Sequence, residues 1–158
     1  MIRPIVRWPD PILRKVCEHV AVDERIRQLM ADLVETLLAS DGVGLAAPQI
    51  GEAVRVIAVK DGEAVHVIAN PRWIKRNGIK VPSAETCLSE PERTTGKRTI
   101  VKVKRDTSVE ISGIDREGNL TFLRAKGALA VRIQHEMDHC EGVCLWDLAR
   151  SNRGEVIR

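Results

Sequence analysis

Aromatic side chains are scarce in this chain: 158 residues include one Phe, three Trp and no Tyr. Whatever core forms must therefore be mainly aliphatic. No apolar run approaches the roughly 20 residues that a membrane-spanning helix needs. The start, Met1-Ile2-Arg3-Pro4, lacks the apolar stretch of a secretory leader, so a cytoplasmic protein with no membrane partner is expected. Nor is there an excess of one charge. The 25 Lys and Arg against 22 Asp and Glu leave a formal +3, which is weak ground for a nucleic-acid partner, and none of specific kind is expected. Cysteine is limited to Cys17, Cys87, Cys140 and Cys144. An even count permits disulfides, but a chain of this size without a leader favours reduced thiols or metal ligands. With 44% hydrophobic and 30% charged residues, and neither repeat nor linker, residues 1–158 read as a single globular domain, with a monomer as the simplest state.

Local patterns suggest the elements. Asp10-Pro11 looks like an N-cap followed by proline in a first turn of helix. After Asp23, the residues Ile26, Leu29, Met30, Leu33, Val34, Leu37 and Leu38 recur with helical spacing, and Ser40-Asp41-Gly42 should end that helix. Val54 to Val59 reads as a strand, Asp61-Gly62 as a tight turn, and Val65 to Ile68 as its hairpin partner, closed by Asn70-Pro71. Lys75 to Lys97 is rich in Gly, Pro, Ser and Thr and reads as loop or irregular edge strand. Short strands follow at Ile100–Val103, Val109–Ile111 and Leu120–Phe122, with a turn at Glu117-Gly118-Asn119. A second helix is expected over Ala128–His139, ended by Gly142. Strands lying between two helices and joined by hairpins imply an α+β fold with antiparallel sheets.

The second helix carries Gln134-His135-Glu136-Met137-Asp138-His139, which contains H-E-x-x-H. Four residues of helix bring His135 and His139 to one face, where both imidazoles can reach one divalent metal ion. Glu136 sits between them, placed to handle protons of a water. A catalytic metal needs at least one further protein ligand. Cys87, in the polar segment Glu85-Thr86-Cys87-Leu88-Ser89, is a candidate, and on spacing alone a ligand and a small core hydrophobe stay equally open. Cys140 and Cys144 compete for the role, but Cys140 lies ~140° around the helix from His135 and Cys144 lies beyond Gly142. The segment Gly42-Val43-Gly44-Leu45-Ala46-Ala47-Pro48-Gln49 offers a backbone that a ligand can approach and an amide suited to an oxyanion; by composition alone it is a helix-ending loop.

Taken in order, these three segments resemble the signature motifs of peptide deformylase: G-x-G-x-A-A-x-Q, E-G-C-L-S and Q-H-E-x-D-H. The resemblance runs over nearly the whole chain. It implies a peptide-deformylase-like catalytic domain with antiparallel sheets packed around the helix that bears H-E-x-x-H. It implies that Cys87, His135 and His139 hold one divalent metal ion, typically iron(II), with zinc, nickel or cobalt able to replace it. The reaction implied is hydrolytic removal of the N-formyl group from the initiator methionine of nascent polypeptides, releasing formate. Glu136 would carry the proton to the leaving amine, and the Gln49 amide with the Leu88 backbone N–H would stabilise the oxyanion. Gly44 would offer backbone hydrogen bonds to the substrate, Val43 and Val131 would line the methionine pocket, and Arg105 would lie near the substrate end of the cleft. The ribosome would be a transient partner.

Two departures from the pattern stand beside the site. Thr86 occupies a glycine position, where positive φ would be costly for a β-branched residue. Arg132, one helical turn before His135, stands where the family has a small or apolar residue beside the methionine pocket. Only 19 residues follow His139, too short and polar a tail for the ribosome-docking helix of many bacterial relatives. The alternatives are thus a deformylase-like hydrolase of shifted substrate preference and a catalytically weak peptide- or ribosome-binding homologue. Retention of Glu136 speaks against the latter, since a pure binder needs no proton carrier.

Overall fold

The computed structural model describes residues 1–91, 96–150 and 154–157. The first long element, α1 (Glu24–Leu38), starts where the Asp23 carboxylate accepts from the Ile26 N–H at 2.9 Å. That bond satisfies one of the orphan donors of the first turn, and Glu24 complements the helix dipole. Ile26, Leu29, Met30, Leu33 and Leu37 are buried. Leu38, placed on the same face by its spacing, is instead 59% exposed, because it falls 100° beyond Leu37 as the helix ends.

A five-stranded antiparallel sheet follows the order β1 (Gly44–Ala46), β2 (Val56–Asp61), β3 (Ala64–Arg76), β6 (Ser108–Ile114) and β7 (Leu120–Lys126). A three-stranded sheet is built from β4 (Lys80–Glu85), β5 (Ile100–Asp106) and β8 (Gly154–Ile157), with β5 central. The apolar run of β2 reflects burial on both faces. Val56 and Ala58 pack with the α1 residues, whereas Ile57 and Val59 pack with Ile133 and Met137 of α2 (Gly127–Cys140).

Several boundaries differ from the sequence reading. Asp61 pairs with Ala64, so the hairpin turn is Gly62-Glu63, with Gly62 at the positive φ such turns need. Asn70-Pro71 does not end β3. The register shifts there, with Asn70 at φ 52°, and the strand resumes to Arg76. The Asn70 side chain exchanges hydrogen bonds of 2.9 and 2.7 Å with the Val20 backbone, which anchors the irregularity. Within Lys75–Lys97, residues 80–85 are regular strand, while residues 92–95 lie outside the described residues. Three short elements gave no periodic signal: β1, α3 (Leu145–Arg150) and β8. Of the tail read as Ser151–Glu155, residues 151–153 lie outside the described residues and residues 154–157 form β8.

Gly142 stops α2 immediately after the segment that bears His135 and His139. At φ 70°, its N–H donates to the His139 carbonyl at 3.1 Å and the Val143 N–H to the Asp138 carbonyl at 2.9 Å, which is a Schellman cap. A Cβ at this position would lie 2.4 Å from the Arg14 carbonyl oxygen, a backbone atom. Gly142→Ala is therefore expected to cost more than the ~1–2 kcal/mol of left-handed backbone alone. A fall in the thermal midpoint checks this; a fall worth only ~1–2 kcal/mol would mean that the 14–15 backbone yields freely.

Candidate active site

Helix α2 presents His135 and His139 on one face, and the chain leaving β4 brings Cys87 to them. The Cys87 Sγ lies 3.3 Å from His139 Nε2, and one ligand atom from each of Cys87, His135 and His139 falls within 4.8 Å of the others. All three are buried or nearly so. Burial above all holds His139 well below the usual imidazole range, so its ring is presented neutral. Among the described residues no other cluster of three such groups occurs. Cys140 and Cys144 are buried free thiols outside it, the Cys144 Sγ lying 3.8 Å from the Leu13 carbonyl.

Behind the trio stands a carboxylate–guanidinium support. Glu85 Oε1 accepts from His135 Nδ1 at 2.9 Å, which leaves Nε2 of that ring for the centre. Arg105 donates to both Glu85 oxygens at 2.9 Å and to Asp138 Oδ2 at 2.6 Å. Burial alone would raise the Glu85 pKa, but the hydrogen bonds from His135 and Arg105 bring it down to about 2, so the acceptor is a fixed carboxylate. Gln134 closes the arrangement by exchanging two 2.9 Å hydrogen bonds with the Asp106 backbone, tying β5 to α2.

Glu136 is buried, and its Oε2 has no hydrogen-bond partner. Burial is the main cause that lifts its pKa to about 7; the His135 charge opposes this, while Glu85 and Asp138 add to it. Gly44, at the edge of the five-stranded sheet, backs this carboxylate closely: a Cβ there would lie 2.3 Å from Glu136 Oε1. Only glycine leaves that space. Gln49 is held by its Oε1, which accepts from the Ala46 N–H at 2.9 Å, so its Nε2 points to Ser89 Oγ at 3.1 Å and Cys87 Sγ at 3.6 Å.

A cavity of about 350 Å³ opens over these groups. Val43, Gly44, Gln49, Leu88, Val131, Cys87, His135 and Glu136 all line it, so the structure gathers most residues singled out by sequence. His139 lies just behind the lining, and Arg105 is a correction. It does not line the cavity, is 6% exposed, and has its guanidinium engaged by Glu85 and Asp138 behind His135. Its place on an inward position of β5 puts it under the sheet rather than in the cleft. Thr86 also lines the cavity, and its φ is not positive, so the feared backbone cost does not arise. Three contributors had been missed: Glu85, Ser89 and Arg98, the last pairing with Asp41 at 2.5 Å on the cavity wall. Glu85 and Cys87 are two residues apart in extended chain, hence on one side, and that period was the available signal.

Two imidazoles and a cysteine sulfur converging beside a buried carboxyl group define a metal-dependent hydrolase built on an α+β fold. Comparison with known proteins narrows this. The family described as polypeptide deformylase matches residues 2–154. A peptide deformylase of Mesorhizobium japonicum is 36% identical over 99% of this chain and 90% of its own, and that of Dictyoglomus thermophilum is 39% identical over 94% of each. The crystal structure of the Thermotoga maritima peptide deformylase superposes with a TM-score of 0.84 at 30% identity, covering 93% of this chain and 97% of the other. That of Ehrlichia chaffeensis, in complex with actinonin, gives 0.85 at 31%, covering 96% and 91%. The chain belongs to the peptide deformylase family, metal-dependent enzymes that remove the N-formyl group from nascent polypeptides.

Proposed function

We propose that residues 1–158 act as one catalytic domain in which Cys87, His135 and His139 hold a single divalent ion, iron(II) in the native enzyme, and release formate from the formylated initiator methionine. The observation that carries this reading is the convergence of these three ligand atoms beside a cavity-lining carboxylate with an unpartnered oxygen. The donor set fits such an ion: one soft sulfur and two imidazole nitrogens suit iron, zinc, nickel and cobalt alike. When bound, the ion would polarise the formyl carbonyl and acidify a water.

The chain's own residues supply the rest. Glu136 takes a proton at its free Oε2 and returns it to the amine that leaves, a task for which a carboxyl near neutrality is suited. The Gln49 amide and the Leu88 backbone N–H donate to the developing oxyanion, Gln49 exchanging its Ser89 contact for the substrate. Gly44, the first residue of edge strand β1, and Val43 just before it offer backbone groups to an extended peptide, and Val43 and Val131 line its first side chain's pocket. The mouth of the cavity lets such chains enter as they leave the ribosome, met in transient encounters in the cytoplasm by a monomeric enzyme.

The test is formate release by the full chain, purified without oxygen and loaded with iron(II), from formyl-Met-Ala-Ser against acetyl-Met-Ala-Ser. Release from the formyl peptide alone is expected, and metal-loaded protein that releases none overturns the reading.

A further inference from the structure

Cys17 and Cys140 take no part in the deformylation chemistry above, yet they meet at the C-terminal end of the helix that carries it. The Cys17 N–H donates to the Cys140 carbonyl at 2.8 Å, and the Cys17 Sγ lies 3.9 Å from the His139 carbonyl. The two thiols are hydrogen-bond partners of each other within one core cluster, and both are free. The remaining thiols face elsewhere. Cys87 lies against His139 Nε2, and Cys144 against the Leu13 carbonyl.

The backbone on both sides of the pair is fixed by Arg55. Its N–H donates to the Glu18 carbonyl at 2.8 Å and its guanidinium to Glu141 Oε1 at 2.6 Å, so the residue after each cysteine is tied to one buried arginine. A backbone hydrogen bond between two residues sets their Cα atoms roughly 5–6 Å apart, within the span of about 4.4–6.8 Å that a disulfide bridges. The chain need not move for the sulfurs to join. Access comes from the N-terminal side. Cys17 lies outside every helix and strand, beside Val16 at 65% exposure and with Lys15, Glu18 and His19 exposed around it. Such a stretch opens locally at less cost than the whole fold.

We propose that Cys17 and Cys140 form a modification site, a dithiol that hydrogen peroxide converts to a reversible disulfide fastening the N-terminal segment to the end of α2. Cys17 Sγ attacks one peroxide oxygen, the O–O bond breaks, and a Cys17 sulfenic acid and water result. Cys140 Sγ then attacks that sulfur. The S–S bond forms, the S–O bond breaks, and the departing oxygen leaves as a second water with the Cys140 proton. The two sulfurs together give up two electrons, and the peroxide takes them. The new bond closes a loop of more than ~100 residues, which restricts the unfolded chain strongly, and the fixed frame around the pair keeps the native state free of strain.

The experiment treats the full chain with a small excess of hydrogen peroxide after loading with zinc, an ion without redox chemistry of its own. Unreduced peptide digests are mapped by mass spectrometry, and the thermal midpoint is measured before and after. The expected product is lighter by two hydrogen atoms, carries a Cys17–Cys140 link, and melts roughly 4–16 °C higher, with dithiothreitol reversing all three changes. Cys17→Ala and Cys140→Ala should each lose both the link and the rise, whereas Cys144→Ala keeps them. The mapping of the wild-type chain decides the matter even where a variant fails to fold. Thiols that stay free, a link that involves Cys87 or Cys144 instead, or sulfinic acid at Cys17 without a link overturns the proposal. So does a Cys17–Cys140 link that leaves the midpoint unchanged or lowers it, since the frame would then not be preset for the bond.

Discussion

Glu136→Ala is expected to retain metal at the wild-type stoichiometry while kcat on formyl-Met peptides falls by about 10²–10⁴-fold, the usual worth of a positioned proton carrier. The two halves of this outcome have separate structural causes. The proposed ligand atoms belong to Cys87, His135 and His139, and the groups behind them are Glu85 and Arg105, none of which contacts Glu136 through a hydrogen bond. Truncating Glu136 therefore leaves the ligand set intact. It removes a buried carboxylate whose Oε2 is unpartnered, so no hydrogen-bonding network collapses and stability should not fall. Removing an uncompensated buried acid can even stabilise the fold. Measurement of metal content, thermal midpoint and formate release on one sample separates these effects. A variant that keeps metal and also keeps its rate would show that Glu136 carries no proton; a variant that loses metal would show that it shapes the centre.

Periodic elements were legible in the sequence because their physics is local. The α1 stripe and its Asp23 cap follow from spacing and one hydrogen bond, and Gly142 ends α2 because only glycine accepts its conformation cheaply. The histidine pair was legible for the same reason, as two residues on one helix face. What could not be read locally came from long-range pairing. Strand β1 is three residues long and exists because it pairs with β2, and β8 exists because it pairs with β5. Asn70-Pro71 looked like a terminus because proline lacks a donor, yet the Val20 backbone holds the irregularity and the strand continues. The same limit governs the site. The Cys87 position as ligand was suggested by the ordered motifs and not by its own spacing, and the support behind His135 joins residues 20 to 50 positions apart.

Arg105 shows the largest consequence of that limit. Arg105→Met is expected to destabilise the protein by about 3–5 kcal/mol, because it leaves Glu85 buried without its bidentate partner and deprives Asp138 of its 2.6 Å contact. For a chain of this size the thermal midpoint should drop by roughly 6–20 °C. A substrate-binding arginine would behave otherwise: its loss would raise KM for longer peptides with the midpoint unchanged. Because Glu85 orients His135, the variant should also bind metal more weakly, by about 10- to 100-fold. The double variant Glu85→Gln, Arg105→Met discriminates further. Gln keeps an oxygen that can accept from His135 Nδ1 but carries no charge, so much of the lost stability should return. If the two changes instead add, Glu85 and Arg105 are not an energetic pair, and the carboxylate that orients His135 is held by something other than the guanidinium against it.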